Sequence, residues 1–239
     1  MQSIDAILTA FTDNPLLPPT GARGVIILSG GMDSVTLLHF LVKHRKCRME
    51  AISFDYGQKH VKEISYAKKQ CEALGVQHHL VALPFVGSLF SSALLQGGEE
   101  IPDGHYEEGN MKQTVVPNRN MIMIAIATGY GQSTGASFLA LGVHAGDHAI
   151  YPDCREEFID ALRKAIELSD WNPFTVFAPF QRMTKVEILE IGFQLDPPVD
   201  YGKTWTCYKG KEEPCGTCGA CRERGEAFEQ IGAEDPQGF

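Results

Sequence analysis

A run of six residues, Ser29-Gly30-Gly31-Met32-Asp33-Ser34, restricts this chain more than any other stretch. The apolar Val25-Ile26-Ile27-Leu28 before it has the composition of a strand buried on both faces. After it, Val35 to Val42 carries apolar residues at helical spacing, so the six residues join a strand to the start of a helix. Adjacent glycines reach backbone angles closed to other residues, and without side chains they let an anion approach the amides. The unbonded N–H groups of the first helical turn and the positive end of its dipole complete an anion seat. Ser29 and Ser34 add hydroxyl donors, whereas Asp33 would repel phosphate unless a magnesium ion lay between them. The unit predicts a cradle for a nucleoside triphosphate. No Gly-Lys-Ser/Thr closes it, which separates it from the Walker loop.

The rest of the chain alternates in a way that suits this reading. Strands are expected at 49–55, 78–83, 137–143 and 175–180, and helices at 60–74, 121–127, 158–168 and from 184 onward. Gly75 is a helix stop, and Thr184 with Glu187 three residues later is a capping box. Such alternation predicts an α/β fold, a parallel Rossmann-like sheet with helices on both faces. Residues 1–23 read as an N-terminal extension with a short docked helix at Ile4–Phe11, 24–183 as the nucleotide-binding domain and 184–239 as a C-terminal helical region. The polar, glycine-rich connection from 87 to 113, including Glu107 and Glu108, reads as a lid, a disordered segment or a solvated surface loop. Asn118 or Asn120 is expected to cap the helix that follows it, with Arg119 at the start of that helix awaiting an anion. The apolar positions from Phe158 to Leu168 read as one core stripe.

Beyond the strand at 137–143 lies a dense polar cluster, His144 to Arg155. Ligands of open parallel sheets bind past the carboxyl ends of strands, so this cluster should stand beside the glycine loop. Four of the seven cysteines crowd the C-terminal part: Cys207, Cys215, Cys218 and Cys221. Four thiolates are the full complement of a closed tetrahedral zinc site, structural rather than catalytic, with a 4Fe–4S cluster as the competing occupant. The net charge of −9 argues against an extended nucleic-acid surface. No apolar run approaches the roughly 20 residues needed to span a bilayer. The first residues lack a basic region followed by an apolar one, and the expectation is a cytoplasmic protein without a membrane attachment.

The glycine loop resembles the pyrophosphatase loop (PP-loop) of ligases that split ATP between its α and β phosphates. Further segments are similar to one family of that superfamily, the 7-cyano-7-deazaguanine synthases. These are Phe54-Asp55-Tyr56-Gly57-Gln58-Lys59-His60, Val116-Pro117-Asn118-Arg119-Asn120, Tyr151-Pro152-Asp153-Cys154-Arg155 and Thr206-Cys207-Tyr208-Lys209-Gly210 with its three further cysteines. The chain departs from the family pattern at Ala149-Ile150, where Ser-Gly is usual, at His144 and His148, and in the long 97–113 connection.

The resemblance implies a carbon–nitrogen ligase of queuosine-type deazaguanine biosynthesis. It would convert 7-carboxy-7-deazaguanine and ammonia to the nitrile by adenylating first the carboxylate and then the amide. It implies ATP, Mg2+ and structural Zn2+ as cofactors, small molecules as partners, neither nucleic acid nor membrane, and a homodimer. The ATP segment would comprise Leu28, Ser29, Gly30, Gly31, Met32, Asp33, Ser34, Val35, Thr36, Leu37 and Leu38. Ser29, Asp33, Arg119 and Lys185 would be catalytic, Asp33 through magnesium and the two cations by neutralising phosphate or carboxylate charge. Asp147, Tyr151, Asp153 and Arg155 would meet the deazapurine. Three rivals remain at this stage: a transfer RNA thiolase, a ligase that stops at the amide or uses another amine, and a nucleotide-sensing zinc module.

Overall fold

The computed structural model describes residues 4–14, 17–105 and 109–238. Met1 to Ser3, Pro15, Leu16, Glu107 and Glu108, which entered the expectations for the N-terminal extension and the 87–113 connection, lie outside the described residues.

Among the described residues, five strands form one parallel sheet: β1 (Arg23–Ile27), β2 (Arg48–Asp55), β3 (Gln77–Ala82), β4 (Phe138–Ala140) and β5 (Thr175–Phe177). Their order is β3-β2-β1-β4-β5. The chain builds outward from β1 in one direction and then returns to lay β4 on its other side. A crevice therefore opens beyond the carboxyl ends of β1 and β4, the place where such sheets bind ligands. β1 is short and almost wholly buried, and its side chains alternate between two cores. Val25 packs on one face with Leu139, Val176 and Ile159, and Ile26 on the other with Leu37, Ile188 and Phe228.

Among the described residues, eight α-helices cover the sheet: α1 (Ile4–Thr12), α2 (Met32–His39), α3 (Glu63–Leu74), α4 (Pro84–Leu89), α5 (Arg119–Thr134), α6 (Glu156–Glu167), α7 (Lys185–Gln194) and α8 (Gly219–Gln230). α2 runs on through one wider turn, Phe40–His44. α3 stops at Gly75, which takes the left-handed conformation that glycine adopts without strain (φ 65°). α7 begins with the expected capping box: Glu187 N–H donates to the Thr184 hydroxyl, and the Glu187 carboxylate accepts from Thr184 N–H at 2.8 Å. α1 docks as a helix, with Phe11 stacked on Phe180 and edge-on to Phe40.

Several expectations change. β4 and β5 are shorter than the apolar runs that contain them, because Leu141 and Ala178 already turn away into loops that still pack in the core. The connection after β3 is exposed at most of its described positions, as a surface loop is, but it is anchored at intervals. Leu94, Leu95, Ile101 and Met111 are buried in the core, and the backbone bridges Gln58 to Leu95 and Asp103 to Cys218. The stripe on α6 is narrower than its composition suggests, since Leu168 sits past the last turn and is 88% exposed. Asn118 occupies the N-cap of α5 in the left-handed conformation but makes no capping bond through its side chain. Instead, Asp153 reaches across from the next segment and accepts from Asn120 N–H at 3.1 Å. Residues after 184 have no separate core, because Ile188, Leu189, Ala227 and Phe228 share theirs with β1 and α2.

Arg224 of α8, fully buried, fastens the C-terminal part. Its guanidinium grips both oxygens of buried Asp235 at 2.7 and 2.8 Å and also donates to the Thr204 hydroxyl and the Tyr201 carbonyl. Removing one member of such a pair strands the other charge in the interior. Arg224→Met is expected to lower the free energy of unfolding in urea by about 3–5 kcal/mol. A loss below about 1 kcal/mol would be that of an exposed pair and would contradict this role.

Candidate active site

Beyond β1 the chain makes the turn that the glycines demand. Gly30 has φ 92°, and a β-carbon there would lie 2.2 Å from the Glu63 carbonyl oxygen. The turn is held by Gly31 N–H donating to the Ser29 hydroxyl at 3.2 Å and by the Ser29 and Ser34 hydroxyls meeting at 3.0 Å. α2 then starts without a side-chain cap, which leaves its first turn facing the crevice as an anion seat. Gly142, just past β4, lets that segment pass the helix start, since a β-carbon on it would lie 3.0 Å from Ser34 N and Cα. Of the expected ATP segment, Leu28, Val35, Leu37 and Leu38 are fully buried in the core, Met32 is 1% exposed, and the Thr36 hydroxyl is spent on Met32 O and Tyr201 OH. The part that offers groups to a ligand is Ser29 to Ser34.

Asp33 and Lys185 meet at the floor of the crevice, Nζ to Oδ2 at 3.3 Å, and Lys185 also pairs with Glu223 of α8 at 2.7 Å. The His144 ring stands 3.8 Å from the same Asp33 oxygen. Burial alone would raise the Asp33 carboxyl, but Lys185 and His144 outweigh it and hold it below the usual carboxylate range. Burial works against the Lys185 charge too, yet Asp33 and Glu223 push its ammonium above the ordinary lysine value. Both groups are therefore charged at neutral pH. Asp33 Oδ1 is buried and has no hydrogen-bond partner, which fits a carboxylate oxygen reserved for a cation.

Three adjoining cavities of about 180, 200 and 100 Å³ open around this floor, and all three are lined by Ser29 and Tyr208. One lies beyond β4, against Arg119, Asp147, Tyr151 and Cys154. Another lies beyond β2, walled by Phe54, Tyr56, His60, Glu63 and Met123. The smallest holds Gly31, Asp33, Lys185 and Trp205. Arg119 stands at the join of the first two, donating to Tyr56 OH at 3.4 Å, with its guanidinium 5.9 and 5.7 Å from the Tyr56 and Tyr151 rings. Burial pulls its pKa down, but the surrounding tyrosines and Asp153 more than restore it, so the guanidinium keeps its charge. Tyr151 is anchored by its hydroxyl, 2.9 Å from that of Thr114, and presents its ring to the cavity.

Two ionisable groups of the cavity beyond β2 are displaced furthest. Burial pushes the Glu63 carboxyl up to about 8, against the opposing effects of Arg119 and Gln58. Burial and Arg119 together take His60 down to about 3, so its ring is neutral. The two side chains stand 3.5 Å apart.

The sulfurs of Cys207, Cys215, Cys218 and Cys221 lie within 4.8 Å of one another, three of the residues being buried. Cys218 N–H donates to the Cys215 sulfur at 3.3 Å and Cys215 N–H to that of Cys207 at 3.4 Å, the amide pattern that stabilises thiolates. These residues form a metal site. The segment leading to it is tied to the glycine loop by Trp205 N–H donating to Gly30 O at 2.9 Å.

The structure thus gathers Ser29, Asp33, Arg119, Asp147, Tyr151 and Lys185 around one crevice. It places two expected residues elsewhere. Asp153 caps α5, and Arg155 is exposed, its Nε donating to His148 O at 2.9 Å; neither lines the three cavities. Tyr56, His60, Glu63 and Tyr208 are cavity residues that the sequence reading did not assign. All but Glu63 belong to motif segments, and Tyr208 follows a metal-site cysteine, which was the available signal.

The family model described as queuosine biosynthesis protein QueC matches residues 23–232. A 7-cyano-7-deazaguanine synthase of Caldicellulosiruptor saccharolyticus is 50% identical over 214 residues, covering 90% of this chain and 94% of the relative. Relatives of the same name from Desulfotalea psychrophila and Hahella chejuensis are 53% identical over 205 residues and 47% over 228. These alignments cover 85% and 95% of this chain, and 92% and 96% of the relatives. Among solved structures, the U34-tRNA thiolase NcsA from Methanococcus maripaludis with its 4Fe–4S cluster superposes with a TM-score of 0.52 at 17% identity, over 83% of this chain and 66% of that one. NMN synthetase from Francisella tularensis gives 0.51 at 12% identity, over 97% and 85%. These two likenesses are likenesses of fold.

Two outcomes follow from the site. The purified protein should carry one metal ion per chain by native mass spectrometry, and Cys218→Ser should carry little; equal metal in both would contradict the assignment. Because Glu63 keeps its proton in the folded state up to about pH 8 but loses it near 4.5 when unfolded, its burial costs stability increasingly as pH rises between those values. Glu63→Gln should therefore gain in Tm over the parent between pH 6.5 and 8.5, a window above the titration of His60. A constant difference would mean that the carboxyl is not buried in this way.

Proposed function

The chain belongs to the QueC family of queuosine biosynthesis proteins, and on that membership we propose that it turns 7-carboxy-7-deazaguanine, ammonia and ATP into 7-cyano-7-deazaguanine. It is an enzyme, a carbon–nitrogen ligase of the 7-cyano-7-deazaguanine synthase type. The observation that supports the reaction best is the meeting of three cavities at Ser29, directly over the buried Asp33–Lys185 pair. A nucleotide, its departing pyrophosphate and a second flat ring need three such spaces around one reacting phosphorus.

In this reading the pyrophosphate rests on the amides from Gly30 to Ser34 and against Lys185. The adenine lies beyond β2 between Phe54 and Tyr56, and the deazapurine beyond β4, beside Tyr151 and Asp147. Asp33 Oδ1 would hold Mg2+, which when bound offsets phosphate charge. Arg119, between the two rings' sites, faces the substrate carboxylate and then the adenylate. A carboxylate is a poor electrophile, and adenylation supplies AMP as its leaving group. Ammonia displaces the first AMP and gives the amide. Adenylation of the amide oxygen and loss of a second AMP leave the nitrile. Catalysis is chiefly positioning and charge stabilisation, so one site serves both rounds.

We read the four-cysteine site as a structural zinc. Zn–S bonds of about 2.3 Å bring four sulfurs as close together as they are here. The sulfurs around a 4Fe–4S cube sit further apart, each on its own iron. Homodimer formation and a cytoplasmic location, where ATP is at hand, complete the proposal.

The test is product mass by liquid chromatography with the purified protein, ATP, magnesium, ammonium and the carboxylate. We expect the nitrile with two AMP released for each, and a loss of at least about 100-fold for Asp33→Asn. An amide that goes no further, or carboxylate recovered intact, would overturn the proposal.

A further inference from the structure

The reaction read above makes a demand that none of the roles assigned so far meets. Nitrogen enters as ammonia and leaves as a nitrile, so three N–H bonds break on one atom within the site. The carboxylates that line the cavities are Asp33, Asp147 and Glu63. Asp33 is engaged by Lys185, and Asp147 accepts from His144 N–H at 3.3 Å in the turn it caps. Glu63 differs. It lines both the cavity beyond β2 and the one over the glycine loop, and these two share Ser29 and Tyr208 with the cavity beyond β4. Among the described residues it has no lysine or arginine at ion-pair distance. Its recorded hydrogen bond comes from the neutral amide of Gln58, Nε2 to Oε1 at 3.4 Å. That amide is itself fixed, accepting from Tyr56 N–H at 2.9 Å and donating to Phe54 O at 3.0 Å.

We propose that Glu63 is the catalytic base that takes the protons from the incoming nitrogen, with Gln58 and His60 holding its carboxyl in place. His60 is 3% exposed, lines the same cavity, and has its Nδ1 buried without a hydrogen-bond partner. The tautomer that points Nε2–H toward Glu63 leaves Nδ1 as an acceptor for one N–H of ammonia. In the first round the ammonia lone pair forms the C–N bond as the C–O pair departs with AMP, and one N–H proton passes to a Glu63 oxygen. In the second round the amide oxygen attacks the α phosphorus and pyrophosphate leaves. The two remaining N–H protons then pass in turn to Glu63 as their electron pairs build the C≡N bond and the second C–O pair leaves with AMP. Between transfers the proton returns to solvent. A carboxyl raised by burial to about 8 is a stronger base than an ordinary one, and the form that accepts the proton is its ionised fraction, minor at neutral pH and growing as pH rises toward 8.

The experiment separates activation from amination. The parent, Glu63→Gln and Glu63→Asp are incubated with the carboxylate, ATP and magnesium, with either ammonium or hydroxylamine, after their metal contents have been matched. Hydroxylamine is uncharged at neutral pH and attacks an acyl adenylate unaided, so hydroxamate reports adenylation alone. Glu63→Gln is expected to form hydroxamate within about threefold of the parent while its nitrile falls by about 100-fold or more. Glu63→Asp, which keeps a carboxylate, should recover at least about tenfold of that loss. Nitrile within about threefold of the parent, hydroxamate falling along with nitrile, or Glu63→Asp no better than Glu63→Gln would each overturn the inference. A parent that forms no nitrile would overturn the reaction itself, a result separate from any of these.

Discussion

The buried charge of Asp33 is the constraint around which the other parts fall into place. A carboxylate in the first turn of α2 would oppose the anion that this helix end attracts, and burying it unpaired would cost several kcal/mol. Lys185 answers it from the first turn of α7, Glu223 answers Lys185 from α8, and His144 approaches from the segment after β4. Three distant parts of the chain are thereby drawn to one point. Buried ion pairs seldom add net stability, since desolvation offsets the attraction. What the pair supplies is a fixed positive group and a free carboxylate oxygen side by side, the arrangement a magnesium–phosphate complex requires.

A second layer builds the roof. The backbone from Trp205 to Tyr208 runs over the glycine loop, bonded to Gly30 and buttressed by Tyr66 and Lys62 against the Trp205 ring. It then enters the cysteine site. Metal bound there would hold Tyr208, which lines all three cavities, without taking part in the chemistry. Arg224 and Asp235 secure the same segment from the other side. Sequence, metal and active-site geometry are thus linked through a few residues of backbone. Loss of the metal should be felt at the substrate site as well as in stability.

Much of this was legible in the sequence, where local chemistry decides structure. The glycine loop between β1 and α2, the capping box of α7 and the cysteine cluster are each fixed by residues within one short stretch of chain. The same holds for the alternation that gives the parallel sheet. Where long-range contacts decide, the sequence was silent or misleading. Asp153 looked like a ligand for the base because it sits in a polar motif, yet the helix it caps is about 30 residues upstream. The 87–113 connection looked solvated by composition, while a few apolar residues, Leu94, Leu95, Ile101 and Met111, anchor it. Glu63 carried no signal in the sequence. Its pKa is raised by burial in the folded chain, against the opposing effects of Arg119 and Gln58.

The most direct test is a crystal structure with magnesium and an ATP analogue that cannot be cleaved between the α and β phosphates. The β and γ phosphates should rest on the amides from Gly30 to Ser34, with the metal on Asp33 Oδ1 and the α phosphorus at Ser29, where the three cavities join. Phosphates bound away from the glycine loop, or Asp33 still turned wholly to Lys185 with no metal beside it, would contradict the central role given to this pair.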